Sequence, residues 1–501
     1  MRNKPFTFVI MLFLIVALSS SLSFSAYHHM NEEDSAKFLQ MYPDKKDTKL
    51  DSCALCHSGG SYEKKPGVYV PMGSCQWCHY KYGYNAIGNI TETLNAYGKD
   101  YWVAGRNADA VKAIENKDSD ADGFSNLDEI LSLRYPGDAS DDPDKIVAPF
   151  RIYSREDLSQ LTRHTQFMMM NTSRSGDFYA EYAGVPLEIL LEDAGILDSA
   201  TGITVYAPDG WSNYHPLDPA DEYSLYHIRG TYPQAQYYYE PEAEAWCDYS
   251  ATLCSAFSNN QIIPVSGGLK AILAFQRNGA DLTIGVLNNE NRLDGAGPYR
   301  IVVPQKDPSP PDQSSKSNDQ DVIWPHDENW DHNAGFCTRS VTIIKVEPLP
   351  EGTTDINLLE AGWNFIDQEK IIIYGAIQGQ TGSISGQLLV SNGNEILPFA
   401  NKTVTVVETG HKALSNQDGT YFIENVPVGD YAISIKHEDQ PILTIDNVHV
   451  EENINTQMPG YTIHLPQNHC DVDNDGVIGL KDFIHWFKVL AGMNEMGSDQ
   501  K

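Results

Sequence analysis

The stretch from Cys53 to His57 reads CALCH, and the stretch from Cys75 to His79 reads CQWCH. In each, two cysteines separated by two residues suit thioether bonds to the two vinyl groups of one porphyrin. The histidine that follows directly suits the axial position on the iron. The two stretches therefore predict two covalently attached c-type hemes. The residues expected to hold them are Cys53, Cys56, His57, Cys75, Cys78 and His79.

A structural zinc ribbon is the main alternative, because two CxxC pairs at this spacing also suit zinc. Zinc does not require a histidine directly after both pairs, so the full pattern favours heme. A low-spin electron-transfer heme needs a second axial ligand, and His28 and His29 are the leading candidates. Thioether alternatives, which would raise the potential relative to bis-histidine ligation, are Met30, Met41 and Met72.

The N-terminus has the pattern of an export signal. Arg2 and Lys4 precede an apolar run from Phe6 to Leu18, and small residues end at Ala26. We expect residues 1–26 to be a signal peptide, with no membrane span left after cleavage and a periplasmic or extracellular location. The alternative is an uncleaved anchor helix, although the run is short for a bilayer.

Composition narrows the function classes. The chain has 501 residues, more than one hydrophobic core usually organises, so several domains are expected. Its net charge of −33 disfavours nucleic acid and anionic lipid as partners and favours a soluble surface or a basic partner protein. The sequence leaves the identity of the redox partner open. Outside the cytoplasm we expect disulfides, and a bond between Cys247 and Cys254 is the simplest pairing. The pairing of Cys337 and Cys470 stays open.

Two acidic stretches match the calcium loop of an EF-hand. In residues 118–129, DSDADGFSNLDE, the expected ligands are Asp118, Asp120, Asp122, the carbonyl of Phe124, Asn126 and Glu129. In residues 471–482, DVDNDGVIGLKD, they are Asp471, Asp473, Asp475, the carbonyl of Val477 and Asp482. We therefore expect bound calcium in addition to two hemes.

Four folded regions follow the signal peptide in the predicted multidomain fold. Residues 27–145 are expected to form a small α-helical, loop-rich diheme domain, with a loop between the two CxxCH motifs. In residues 146–377, a helix after Pro186 and strand-like runs predict an α+β domain. Alternating runs in residues 379–465 predict a β-sandwich, and residues 466–501 an EF-hand-like loop and helix. The strand-like runs are 202–207, 269–275, 299–304, 340–349 and 370–377.

Three segments carry a family resemblance. YAGVPLEILLEDAGI (182–196), ATGITVYAPDGW (200–211) and GAGPYRIVVPQ (295–305) resemble the sulfite-oxidase-type molybdopterin-binding fold. With the CxxCH motifs and the first calcium loop, residues 27–377 resemble the GEGP-motif diheme proteins. Ala296 stands where that motif has glutamate, so this chain lacks the carboxylate at that position.

The resemblance raises the question of a molybdenum cofactor. Sulfite-oxidase-type enzymes supply a cysteine thiolate to the metal from an early segment, whereas residues 163–179 contain no cysteine. We therefore do not expect molybdopterin. Guanidinium and imidazole groups that would suit a pterin phosphate belong to Arg163, His164, Arg174 and Arg300.

The C-terminal regions have resemblances of their own. DGTYFIENVPVGDYAISI (418–435) resembles the carboxypeptidase-regulatory-like β-sandwich, a family of spacers and adhesion units. The tail resembles one dockerin repeat, whereas dockerins that bind cohesins ordinarily have two. Docking onto a cohesin and a calcium-stabilised cap are the two interpretations.

These patterns support three hypotheses. The leading one is an exported diheme c-type cytochrome that carries electrons in a respiratory or extracellular chain. The others are a molybdopterin-dependent oxidoreductase that passes electrons to its own hemes, and a surface-tethered scaffold protein.

One further stretch, residues 324–337, reads WPHDENWDHNAGFC. It would supply a distal heme ligand or a metal site, or it is an aromatic-rich loop with hydrogen-bonded histidines.

Overall fold

The structure, a computed structural model, describes residues 33–46, 48–65, 68–83, 87–172, 175–208, 211–219, 226–287, 293–312, 330–356, 366, 368–391, 395–437 and 440–464. The predicted signal peptide, His28, His29 and the second calcium loop lie outside these residues. The chain divides into two compact units. The first is Met1–Gln380 with Glu408–Gly410, and the second is Thr381–Val407 with His411–Lys501.

Short helices dominate the N-terminal part of the first unit. The α-helices are α1 (Glu33–Met41), α2 (Ser74–Lys81), α3 (Ala96–Val103), α4 (Ala108–Ala113) and α5 (Asn126–Leu131). The 3₁₀-helices are Pro43–Lys45, Cys53–Leu55 and Ile90–Thr93. Asparagine or serine caps several of these elements, because the side-chain oxygen accepts from a free N–H of the first turn.

The segment between the two CxxCH motifs is a β-hairpin, so the loop prediction was wrong. Strands β1 (Gly60–Lys65) and β2 (Val68–Met72) pair antiparallel, with Gly60 opposite Met72. The glycines and prolines of this segment favour a turn, but backbone pairing between the flanking residues makes them strands. The hairpin brings the end of the first motif close to the start of the second.

Residues 27–145 were expected to form a separate α-helical domain, and the structure corrects this expectation. The described chain is mostly β-structure with few helices. The helices bury only a small hydrophobic cluster, which includes Phe38, Leu50, Tyr97 and Ile130. They share one compact unit with the sheets that follow. Lys49 and Asp141 form a buried ion pair, and the Thr354 hydroxyl also donates to Asp141, which ties the helices to a distant part of the chain.

Two larger sheets form the rest of the first unit. One has the order β10-β6-β12-β13, with β5 on β6 and β16 on β12. The other has the order β4-β19-β17-β7-β8. The strands of the first are β5 (His164–Met170), β6 (Asp177–Pro186), β10 (Cys247–Asp248), β12 (Ile272–Arg277), β13 (Ala280–Asp281) and β16 (Arg300–Val302). Those of the second are β4 (Phe150–Tyr153), β7 (Gly202–Tyr206), β8 (Ser212–Pro216), β17 (Ile343–Glu347) and β19 (Ile371–Gly375).

The five strands and the helix predicted for this region are confirmed. The helix is α7 (Leu187–Asp193), which follows α6 (Arg155–Gln160). Gly195 ends it at φ 74°, a left-handed conformation that favours glycine. Two-stranded pairs complete the unit: β3 (Ile146–Val147) with β18 (Thr353–Thr354), β9 (Gln236–Tyr237) with β11 (Gln261–Ile262), and β14 (Val286–Leu287) with β15 (Leu293–Asp294). Its other 3₁₀-helices are Pro241–Ala245, Thr252–Ala256 and Asn333–Phe336.

The second unit consists of two sheets around one hydrophobic cluster. In one sheet, β20 pairs with β21, β24, β27 and β28, and the other has the order β23-β22-β25-β26. Val404, Ile423 and Ile433 are among the buried residues that both sheets contribute. The strands are β20 (Thr381–Ser391), β21 (Ile396–Pro398), β22 (Thr403–Val406), β23 (Lys412–Leu414), β24 (Thr420–Pro427), β25 (Gly429–His437), β26 (Gln440–Val450), β27 (Asn455–Gln457) and β28 (Tyr461–His464).

Within the described residues, no helix has both the length and the apolar character that crossing a bilayer requires.

Candidate functional site

The first CxxCH motif forms a tight turn. Ser52 caps the 3₁₀-helix Cys53–Leu55, because its side chain accepts from the Ala54 N–H. The His57 N–H donates to the Cys53 carbonyl over 2.8 Å. This turn places Cys53, Cys56 and His57 at neighbouring positions of one compact loop.

Asn95 fixes the turn from outside. Its side-chain amide donates to the carbonyls of Ala54 and Leu55 at 3.2 and 3.1 Å. Its own N–H donates to the Cys56 carbonyl at 2.9 Å. Three successive carbonyls of the motif are therefore bound by one residue that lies far along the chain.

Thr93 determines which nitrogen of His57 is free. The Thr93 hydroxyl donates to the Ile90 carbonyl at 2.6 Å, so it can only accept from the His57 ring. Nδ1 of His57, at 2.7 Å from that hydroxyl, is therefore the protonated nitrogen. The lone pair then lies on Nε2, as an axial metal ligand requires. Burial lowers the pKa of His57, which favours the same neutral ring.

The second CxxCH motif lies in a different backbone. Cys75 to His79 belong to helix α2, which begins directly after β2. The Ser74 hydroxyl donates to the His57 carbonyl at 3.1 Å, so the two motifs meet at this bond. The Cys78 thiol is free and half-buried. For Cys75 and His79 the structure describes the backbone alone.

Several atoms near the first motif fit a covalently attached porphyrin. Cys53 is exposed and Cys56 is half-buried, so both sulfur atoms lie near the surface, where a porphyrin could reach them. Tyr97 is buried beside Cys56, and burial raises its pKa. In the described part of the chain, the Tyr97 hydroxyl has no hydrogen-bond partner. A buried hydroxyl without a partner is costly, which suggests that another group belongs here.

The carboxylate loop, residues 118–129, has the predicted cluster. One carboxylate oxygen from each of Asp118, Asp120 and Asp122 lies within 4.8 Å of the others. The Asp122 and Gly123 N–H groups donate to Asp118, at 3.1 and 3.0 Å. Gly123 has φ 104°, a conformation that favours glycine, as the sharp turn of a calcium loop requires.

Glu129 shows that the cluster is more than an acidic surface. Its side chain is fully buried, and neither carboxylate oxygen has a hydrogen-bond partner among the described residues. Burial, with Asp120 and Asp122 nearby, raises the pKa of Glu129 to about 9. Burial likewise raises the pKa of Asp120 to about 6, and both of its oxygens also lack partners in the described residues. Carboxylates in such positions fit a bound cation.

Asn126, predicted as a calcium ligand, has its side chain engaged elsewhere. Its amide donates to the Ile114 carbonyl at 2.7 Å, and its oxygen accepts from the Ser119 N–H at 3.3 Å. Asn126 therefore fixes the loop backbone, and Ser125 caps α5 beside it.

The α+β region contains a buried arginine. Arg300 is 8% exposed, and its Nη1 donates to the Tyr182 hydroxyl at 3.3 Å. No carboxylate among the described residues forms an ion pair with it, and its Nε has no partner there. Cys337, a buried thiol, lies close enough to Arg300 to interact electrostatically. The sequence placed Cys337 at the end of a candidate metal-binding stretch, but nothing local in the sequence indicated that its thiol lies near Arg300.

The other candidates for the pterin phosphate are placed differently. Arg163 is exposed and donates to Gln276 at 2.5 Å. His164 begins β5, and its Nε2 has no partner among the described residues. Arg174 lies outside the described residues.

The described part of 324–337 shows a hydrogen-bonded histidine. His332 Nε2 lies 3.0 Å from the Asp312 carboxylate, and this bond raises the pKa of His332. Trp324 and His326 lie outside the described residues. The bond agrees with the interpretation of an aromatic-rich loop with partnered histidines.

The expected disulfide is absent between the two described cysteines. Cys247 and Cys254 are free thiols, and both lie in the main hydrophobic cluster. The pairing prediction was wrong for these two residues, because cysteine also packs as a small apolar side chain.

Comparisons with known proteins give distant similarities. No protein-family model matches the chain, and no curated protein matches it. A type II cohesin–X-dockerin complex from Acetivibrio cellulolyticus is 21% identical over 21% of this chain and 72% of that chain, with a TM-score of 0.15. Sulfane dehydrogenase SoxCD from Paracoccus pantotrophus is 11% identical over 59% of this chain and 66% of that chain, with a TM-score of 0.20. Scores this low establish neither fold nor function.

Proposed function

We propose that this chain is an exported diheme c-type cytochrome that carries electrons in a respiratory or extracellular electron-transfer chain. The observation that supports it most is the hydrogen bond from His57 Nδ1 to Thr93, which leaves Nε2 free for iron within a CxxCH turn. Iron held in this way supplies one-electron redox chemistry.

The residues of the chain have distinct roles in this proposal. Cys53, Cys56, Cys75 and Cys78 tether the two groups, while His57 and His79 are the proximal ligands. Thr93 orients the His57 ring, and Asn95 fixes the backbone that carries both cysteines of the first motif. Since Ser74 joins the two motifs by one hydrogen bond, the two redox groups would be neighbours.

Spectroelectrochemistry of the secreted full chain tests this function. We expect reversible oxidation and reduction of two covalently bound groups, with visible spectra typical of c-type heme. A secreted protein whose visible spectrum does not change with applied potential would contradict an electron-transfer role.

We also propose that the carboxylate loop binds calcium. Asp118, Asp120, Asp122 and Glu129 would supply oxygen ligands, and the buried, partnerless Glu129 is the observation that supports this most. Without a cation, these carboxylates repel one another. Calcium at about 100 times its Kd would therefore stabilise the folded chain by about 2.7 kcal/mol.

Removal of calcium tests the loop. We expect excess EGTA to lower the melting temperature of the wild-type protein, and Glu129→Gln to weaken the effect because it removes one charged ligand. Asp128→Asn is the matched control, since Asp128 is exposed and bonds to Ser125. A melting temperature that EGTA leaves unchanged would contradict the proposal.

A molybdopterin-dependent oxidoreductase is the second candidate, and Arg300 favours it. A buried guanidinium without an ion-pair partner is costly, so an anionic ligand such as a pterin phosphate would stabilise it. Elemental analysis of the purified, heme-loaded protein tests this candidate. Molybdenum at one atom per chain, lost in Arg300→Met, would support it, and its absence from the wild type would refute it.

A further inference from the structure

One short helix connects the carboxylate loop to the first CxxCH turn. Asp100 of α3 accepts from Ser119 Oγ at 2.8 Å and from Lys117 Nζ at 2.7 Å. Ser119 lies inside the carboxylate loop, and Lys117 directly precedes it. The position of the loop therefore fixes the C-terminal half of α3.

The other end of the same helix carries the CxxCH turn. Asn95 is the N-cap of α3, because its side-chain oxygen accepts from the Gly98 N–H at 2.8 Å. Through its amide and its own N–H, Asn95 also binds the carbonyls of Ala54, Leu55 and Cys56. Only four residues lie between Asn95 and Asp100, and helical hydrogen bonds span them.

Close packing at two glycines makes this connection rigid. A Cβ at Gly98 would lie 2.2 Å from the Cys56 carbonyl oxygen, so the helix backbone packs directly on the turn. A Cβ at Gly137 would lie 2.6 Å from the Asn95 side chain. Gly137 follows α5, the helix that carries Glu129, so a second path from the carboxylate loop also ends at Asn95.

We propose that Asn95 is a positioning residue that couples the cation site of the carboxylate loop to the first CxxCH turn, so that calcium binding shifts the potential of the iron held by His57. The inference rests on the proposed heme and calcium sites. By linkage, the same free energy appears as a difference in calcium affinity between the oxidised and reduced protein. The second CxxCH motif lies in α2, outside this connection, and its potential stays unchanged.

Redox titration of the full chain in calcium and in EGTA tests the coupling. We expect one of the two midpoint potentials to move and the other to stay. A coupling of about fivefold in calcium affinity, at the low end for linked sites, corresponds to about 40 mV, from 59 mV per tenfold for one electron. Asn95→Ala abolishes the shift. Asn107→Ala, which removes an N-cap of α4 without contact to the turn, preserves it.

A second variant protects the test from misfolding. Asp100→Asn weakens the contacts to Lys117 and Ser119 but leaves every bond of Asn95 to the turn in place. We expect this variant to bind calcium, measured by isothermal titration calorimetry, and to show less than half of the wild-type shift. A wild-type shift that both Asn95→Ala and Asp100→Asn retain would overturn the proposal, as would equal potentials in calcium and in EGTA.

Hydrogen exchange separates this inference from the proposed heme function, because it needs no heme. We expect calcium to slow exchange of the Cys56 and His57 amides about fivefold or more. The amides of residues 77–82 in and after α2 are the internal control. Slowing without any bound heme would retain the coupling and reject the cytochrome function. Bound heme together with amide exchange that calcium does not change would retain the cytochrome function and reject the coupling.

Discussion

The two CxxCH motifs have the same residue pattern but are held in different ways. The first motif begins with the 3₁₀-turn Cys53–Leu55, and two residues from another part of the chain hold the motif: Asn95 binds its carbonyls and Thr93 binds His57. The second motif is part of α2, a continuous helix that follows a hairpin. The pattern thus specifies the attachment chemistry, whereas tertiary contacts decide the backbone. We expect the two sites to respond differently to substitutions around them.

Removal of the cysteines should have the largest effect. Cys53→Ala/Cys56→Ala and Cys75→Ala/Cys78→Ala should each reduce covalent heme from two groups to one, because each double variant removes both thiols that could form a thioether bond to that heme. Heme per chain after denaturing electrophoresis measures this. Cys254→Ala is the control, since this buried thiol lies in the main hydrophobic cluster and belongs to neither CxxCH motif. Two hemes in either double variant would rule out the assignment of that motif.

Asp141→Asn should have the second-largest effect, which is a loss of stability in the part of the chain that carries the first CxxCH motif. Asp141 accepts from Lys49 at 2.7 Å, and Lys49 is 1% exposed and lies just before the first motif. Removing the carboxylate charge leaves a buried ammonium without its counter-ion, at a cost of about 3–5 kcal/mol. Chemical denaturation measures the free energy of unfolding.

Asp142→Asn is the matched control for this substitution. Asp142 pairs with Lys145 over 3.3 Å in a partly exposed bridge, so its loss should cost below about 1 kcal/mol. Equal losses for the two variants would show that burial of the Lys49 pair does not matter.

Thr93→Val should act on the first site alone. Valine cannot accept from His57 Nδ1, so the imidazole loses its fixed orientation. Loss of such an outer partner typically costs about 10- to 100-fold in metal affinity. Displacement of the histidine by added imidazole, followed by visible spectroscopy, should become easier for one heme of the two. Thr93→Ser should restore the wild-type behaviour, and an equal change at both hemes would contradict the account.

Ser74→Ala should have the smallest effect. It removes the hydrogen bond to the His57 carbonyl, which links the two motifs, and costs about 1 kcal/mol. Thermal denaturation measures it, and Ser140→Ala, an exposed serine bonded to Asp138, is the control. If Ser74→Ala lowered the melting temperature more than Thr93→Val does, the hydrogen bond between the two motifs would matter more for stability than the bond from His57 to Thr93.

Local patterns predicted much of the fold. Short apolar runs located β7, β12, β16, β17 and β19, and the apolar face of Leu187, Leu190 and Leu191 located α7. These features depend on neighbours within a few residues. The hairpin between the CxxCH motifs was missed, because glycine, proline and serine in residues 58–74 suggest a loop until the two strands pair.

The contacts that complete the candidate sites were beyond sequence reasoning. The spacing of residues 118–129 indicated the carboxylate cluster, but the partnerless burial of Glu129 depends on the fold. Thr93 and Asn95 lie 36 and 40 residues from His57 and Leu55, and nothing local marks them as partners. Asn95 is the N-cap of α3 in the structure, and its bonds to the CxxCH turn depend on the tertiary fold. The ion pair of Lys49 and Asp141, 92 residues apart, is of the same kind.

The pyridine hemochrome assay on the secreted protein, combined with its iron and zinc content, tests the central claim most directly. The account predicts two covalent hemes and two iron atoms per chain. Zinc in place of iron, with no covalent heme, would contradict it and would favour the zinc-ribbon alternative for the same cysteines.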